Sequence, residues 1–315
     1  IHNGSFPEYL TWEQINQLYL NGWDMLNHSL SHQAGWSGAP LPTSVYTDHV
    51  VQNILRVKSQ TAAAINMTQF IVPSGDSNYY PYAFANGMKA VYNQFWMPDF
   101  QYGLNVDAPL ALNNFLLNRN SMEDNLATLI NQIDLVAAQS LTGTHYWWND
   151  FTHTIANFSG PASGGLQFAN FRQYLEHIAA GYGANGLDNV WAASLQEVYE
   201  YLAVREGTVL NWQLNGNQLT ATLLLNNVPD SLRHTALTLQ VNADQNFGNV
   251  QITKGTGVVY TYNGTNPNSR IINLSWGSSA ALNAKTGSNA SATVVVPDNV
   301  LRTFPNPAQD EVSVS

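Results

Sequence analysis

Over the first two-thirds of the chain, apolar positions alternate between a helical period and short continuous runs. Thr11-Trp12-Glu13-Gln14 has the form of a capping box opening a helix to about Leu20, and Gly22 closes it. The spacing predicts further helices over 45–65, 82–92, 122–138, 166–180 and 194–205. Val50, Val51, Ile54, Leu55 and Val57 form the apolar side of the first of these. Between them, 23–27, 69–72, 93–97, 144–153 and 188–192 read as strands, the second closed by Pro73. Repeated strand–helix alternation implies a parallel sheet or barrel with its ligand site at the C-terminal ends of the strands. From Thr208 the pattern changes to short alternating strands separated by turn pairs such as Asn215-Gly216 and Asn263-Gly264, as in a small all-β sandwich.

Composition narrows the partners. Charged residues make up only 10% of the chain, and the net charge of −10 follows from having only 11 Lys and Arg. Such a chain is a poor ligand for nucleic acid or anionic lipid. It contains no cysteine, which excludes disulfides, zinc–thiolate sites and thiol nucleophiles. No apolar run is long enough to span a membrane. Ile1 opens the chain without a basic and then apolar leader, so the expectation is a mature form or a fragment. Asn, Gln, Ser, Thr and Tyr supply the polarity, as in an exported bacterial protein.

The sharpest chemical signal is Asn27-His28-Ser29-Leu30-Ser31-His32. Two imidazoles four residues apart, just after a strand, can reach one ion from a single turn of chain. Neutral imidazole nitrogen suits zinc and neighbouring divalent metals, with a carboxylate usually completing the set. A pair of ordinary loop histidines is the plainer alternative.

The surroundings of the pair strengthen the signal. Tyr9 through Ile15, then Gly22-Trp23-Asp24-Met25-Leu26-Asn27-His28-Ser29 and His32, resembles the second motif of the polysaccharide deacetylases, carbohydrate esterase family four. Phe70-Ile71-Val72-Pro73-Ser74-Gly75 sits where that family has Phe-Arg-x-Pro-Tyr-Gly. Phe171 to His177 and Asn189 to Val198 resemble its closing helix, strand and helix. The likeness covers about 1–206 and implies a distorted (β/α) barrel, a divalent metal, zinc by preference, and an acetylated glycan as substrate. It makes His28 and His32 metal ligands. The family's late catalytic His, which protonates the leaving group, falls best on His153, with His145 as runner-up. A half-buried structural histidine is the alternative for His153. The chemistry implied is metal-assisted hydrolysis: the ion polarises the acetyl carbonyl, a carboxylate takes a proton from water, and a histidine gives one to the leaving amine or alcohol.

Two departures stand out. No Asp-Asp pair precedes His28, although the family takes its base and third ligand from one, so the expectation is that the chain begins downstream of the first strand. Ile71 replaces the motif's Arg, and Ser74 its aromatic residue. These departures favour a rival reading, a non-catalytic carbohydrate-binding protein on a degenerate deacetylase scaffold. A hydrolase of another type using the same metal pair is a third reading.

Sugar rings pack on aromatic planes, and Trp36, Tyr80 and Trp148 are the candidate platforms, though several of the many aromatic residues must be core. Asp76, Asp99 and Asp107 are candidate polar contacts or ordinary turn formers. Thr303-Phe304-Pro305-Asn306-Pro307-Ala308 resembles the opening of the C-terminal sorting domain of the type IX secretion route, with a Pro-rich linker as the alternative. The expected organisation is a barrel over 1–206, a sandwich over 207–298, and a linker with the start of a sorting domain over 299–315. The expected location is outside the cell, free or attached to its surface. Oligomeric state is not legible.

Overall fold

The computed structural model describes residues 10–35, 39–63, 65–94, 103–122, 125–157, 165–183, 186–187, 189–215, 218–225, 227–229, 232, 237–243, 249–254, 257–263, 269–274, 290–295, 301–306 and 312–313. Two compact units divide the chain: residues 1–105 with 111–196, and 106–110 with 197–315.

In the first unit, helix α1 (Trp12–Leu20) begins as its sequence directs. Thr11 Oγ1 accepts from the Gln14 N–H at 3.2 Å, and Gln14 Oε1 accepts from the Thr11 N–H at 2.8 Å. Helix α2 (Thr43–Gln60) packs on it through Ile15 and Val57, with Ile65 and Met67 beneath. Strand β1 (Gln69–Ile71) and β2 (Ala90–Asn93) pair in parallel, and β2 pairs in parallel with β4 (Phe115–Asn118). On the other side of β1 the expected strand at 23–27 is reduced to one parallel bridge, Asn27 to Phe70. β3 (Leu104–Asn105) pairs antiparallel with β6 (Tyr146–Trp147). Past Arg119 the chain continues as β5 (Asn120–Ser121), which pairs in parallel with β7 (Asp150–Phe151). The segments at Asn27, β1, β2, β4–β5 and β7 are thus parallel neighbours in chain order. β8 (Ile155–Ala156) and β9 (Leu166–Gln167) form a further parallel pair.

Helix α3 (Tyr79–Ala85) starts and ends earlier than its periodicity suggests, because Asn86 and the positive-φ Gly87 (88°) terminate it and free residues 90–93 for β2. Tyr46, Val50, Phe70, Val72, Tyr79, Ala83, Met88 and Val91 form the core between α2, α3 and the sheet. A second core joins α4 (Leu126–Ser140) to α5 (Phe168–Gly181) through Leu129, Ile133, Tyr174 and Ile178. The expected strand over 144–153 is broken at Trp148-Asn149 into β6 and β7. Residues 189–192 are irregular.

Among its described residues, the second unit contains most of helix α6 (Leu195–Gly207) and nine antiparallel-paired strands. β10 (Val209–Asn215), β11 (Gln218–Leu224) and β16 (Ala290–Val295) form one sheet. β15 (Ser269–Leu274), β12 (Leu237–Ala243), β17 (Leu301–Asn306) and β18 (Val312–Ser313) form another, and β13 (Asn249–Lys254) with β14 (Gly257–Asn263) makes a hairpin. The segment 303–306 resembling a sorting-domain start lies within β17, paired with β12. Among the described residues no helix is long and apolar enough to cross a membrane.

Candidate metal centre

Three polar side chains follow directly on the C-terminal ends of the parallel segments. His28 follows Asn27, Arg119 follows β4, and His153 lies just beyond β7. This is the end at which open parallel α/β sheets bind ligands.

The histidine turn is built on Asn27, which is wholly buried. Its backbone N–H donates to Gln69 O at 2.9 Å, and its carbonyl accepts from the Ile71 N–H at 2.7 Å, docking the segment on β1. Its side-chain amide donates to Val50 O at 2.9 Å. Oδ1 accepts from Asn53 Nδ2 at 2.7 Å and from the Ser29 N–H at 3.0 Å. Ser29 and His32 both take left-handed backbone conformations, with φ of 65° and 58°. Such residues persist only where neighbouring bonds over-determine them. Here the Ser29 amide is held by Asn27, and Ser29 Oγ accepts from the His32 N–H at 2.9 Å. The resulting turn brings the His28 and His32 rings together edge to face, with centroids 4.7 Å apart.

His28 is half-buried, and its Nδ1 lies 2.9 Å from Ile71 O. A carbonyl can only accept, so Nδ1 carries the proton and Nε2 keeps its lone pair. That is the orientation a metal-ligating imidazole takes from an outer hydrogen-bond partner. Burial first, then the nearby His32, Arg119 and His153, lowers the His28 pKa to about 4 against the hydrogen bond it donates to Ile71 O, so the ring is neutral at pH 7. This donor chemistry fits zinc or a neighbouring divalent ion. Among the described residues no group of three His, Asp or Glu side chains completes such a set.

Ile71, which stands where the resembled motif has Arg, contributes only its backbone, the N–H to Asn27 O and the carbonyl to His28. The guanidinium comes instead from Arg119, 47 residues along from Val72: Nη2 donates to Val72 O at 3.3 Å, and the group lies 4.3 Å from the centroid of the Phe151 ring. Sequence reading missed Arg119. Its signal was its isolation, for it is the single Lys or Arg between Lys89 and Arg172.

His153 is exposed, and its ring meets Phe151 edge to face at 5.6 Å. His145 lies just before β6. Tyr80 is half-buried against the α2–α3 core, its hydroxyl hydrogen-bonded by the Asn93 amide. The indole N–H of Trp148 donates to Asp150 Oδ1 at 2.7 Å, and its ring packs on the α4–α5 core. Trp36, Trp96 and Asp99 lie outside the described residues. Tyr79 and Trp147 are core. Asp76 is buried. It accepts from the Gly35 N–H (2.7 Å), the Tyr46 hydroxyl (2.9 Å) and both nitrogens of Asn78 (3.1 and 2.7 Å), so it braces the loops after β1. Asp24 accepts from the Ser194 hydroxyl, and Asp107 belongs to the second unit.

No family model matches the chain, and no curated protein matches it.

Proposed function

We propose that the chain is the metal- and substrate-binding part of a carbohydrate deacetylase, hydrolysing acetyl groups on an extracellular polysaccharide or oligosaccharide. The barrel fold, secretion and the β-sandwich belong to this same reading. The observation that carries it is the His28–His32 pair at the end of a parallel strand, with His28 locked by Ile71 O so that Nε2 is available as a ligand. In this reading His28 and His32 hold zinc or a related divalent ion. When bound, that ion would supply Lewis-acid polarisation of the acetyl carbonyl and make water more acidic. His153 acts as the acid for the leaving amine or alcohol, and its exposure suits exchange of a proton with substrate and solvent. Tyr80, Trp148 and Trp36 are the proposed sugar-facing aromatics. The Tyr80 and Trp148 polar groups are already hydrogen-bonded within the protein, so these two would offer ring faces.

One observation favours the second reading, a carbohydrate-binding protein on a degenerate scaffold. The first carboxylate after β1 in the sequence, Asp76, accepts from four donors within the protein and is not free to act as a base.

Metal content of the purified protein tests the proposal, together with His28→Ala and His32→Ala. About one divalent ion per chain, lost in both variants, is the expected outcome. Acetyl release from acetylated sugars by the metal-loaded protein then separates enzyme from binder. A chain that takes up no zinc even in excess refutes the metal site.

A further inference from the structure

Arg119 is a half-buried cation with no carboxylate partner among the described residues. Its Nη2 gives one of its two hydrogens to Val72 O, its Nε is sealed away from solvent with no acceptor, and Nη1, which is not sealed in, has no acceptor among the described residues. Its flat face is covered by Phe151, and no described carboxylate is paired with it. Burial lowers its pKa to about 10, so it stays charged at neutral pH. Removing a cation from water without pairing it is costly, and a ligand anion would supply the missing charge. One strand end holds both polar groups, since Ile71 O fixes His28 and Val72 O fixes Arg119.

We infer that Arg119 is an anion-binding residue that takes a carboxylate of the ligand on its free guanidinium edge, beside the His28–His32 pair. A carboxylate fits better than a phosphate. The guanidinium is planar, matches a planar acceptor edge to edge, and brings one positive charge to balance one negative. In the metal-free protein neutral His28 adds no further charge. A phosphate dianion would leave an uncompensated negative charge beside the ring's lone pair. Two sources share this chemistry: free acetate, the product of the reaction proposed above, and the carboxyl group of an acidic sugar. Only the acetate source rests on the deacetylase reading.

The test is titration of acetate and, in a second arm, glucuronate into the full chain, followed by saturation-transfer NMR of the ligand. Each arm is run with chelator-treated and with zinc-loaded protein. Saturable binding in the chelator-treated protein is expected, weakened at least tenfold in Arg119→Gln and less in Arg119→Lys. Acetamide, the neutral analogue of acetate, is expected not to bind wild-type protein, a comparison that holds even if a variant fails to fold. Acetate binding alone identifies the product as the ligand, and glucuronate binding alone an acidic glycan. No saturable binding of either carboxylate, equal binding of acetamide, or binding unchanged in Arg119→Gln overturns the inference. Binding that appears only with zinc and ignores Arg119 overturns it too, while leaving the metal site standing.

Discussion

Replacing Asn27 removes a buried side chain that ties the histidine turn to α2, while the main-chain bonds that dock the segment on β1 remain. It is wholly buried and makes three side-chain hydrogen bonds, to Val50 O, from Asn53 and from the Ser29 N–H. Each net bond contributes about 1 kcal/mol, and a buried donor left unpaired costs about 1–3 kcal/mol. Asn53 is only half-buried and can turn to water, whereas Ser29 is buried and its amide cannot. Asn27→Ala is therefore expected to cost about 3 kcal/mol. For a unit of this size that lowers the melting temperature by roughly 6–12 °C. It should also weaken zinc binding, since the left-handed residues Ser29 and His32 lose their anchor. Asn27→Asp separates bonding from shape. Its carboxylate would face Val50 O, so burial and that carbonyl should raise its pKa in the folded state above the unfolded value. The destabilisation would then be full at pH 7 and relieved as the pH falls through that raised pKa, once the acid can donate as the amide did. Urea unfolding at pH 7 and pH 4.5, with zinc affinity measured by chelator competition, checks both variants. A loss below about 1 kcal/mol for Asn27→Ala, or an Asn27→Asp protein as stable as wild type at pH 7, would refute the reasoning.

Metal-free protein should lose stability on acidification through His28. Its pKa is depressed from 6.5 to about 4, so the penalty is absent above 6.5, grows as the pH falls and is complete below about 4, amounting to as much as about 3 kcal/mol. His28→Gln should flatten that part of the melting-temperature profile, and an unchanged profile would exclude His28 as its source. On α4, Asp134 accepts from His177 Nε2 at 2.6 Å and from the Tyr182 hydroxyl at 2.7 Å. Burial alone would raise its pKa, but these two bonds outweigh it and hold the pKa below the ordinary value. That stabilisation is present above the unfolded-state pKa and lost as the pH falls through the lower folded one. The His177–Asp134 pair is partly exposed, so Asp134→Asn should cost only about 1 kcal/mol in urea melts at pH 7, and less as the pH falls through the lowered folded-state pKa. Gly103 has φ of 91°, and a Cβ there would run into the Trp147 carbonyl. Gly103→Ala should therefore cost about 2 kcal/mol or more in thermal melts, and a wild-type melting point would contradict that geometry.

Some of this protein is determined within a few residues, and there the sequence by itself sufficed. The capping box at Thr11–Gln14, the 3.6-residue period of α2 and the alternating strands after Thr208 are local choices set by backbone geometry and side-chain reach. The His28–His32 spacing is local as well, so the pair was visible before any fold was known. Other features depend on partners far along the chain. β4, β5 and β7 are two to four residues long, too short to print a period. Their pairing, and the break at Trp148-Asn149, follow from neighbours in space. The tautomer of His28 is set by a carbonyl 43 residues away, and Arg119 reaches the same strand end across 47. Asp76 and Trp148 looked in sequence like candidates for ligand contact, and only the folded chain reveals their hydrogen-bond partners inside the protein. Burial and hydrogen-bond satisfaction are properties of the packed chain. They govern which polar groups remain free for chemistry, and tertiary structure therefore decided the electrostatics of a site whose metal-ligand candidates the sequence had already displayed.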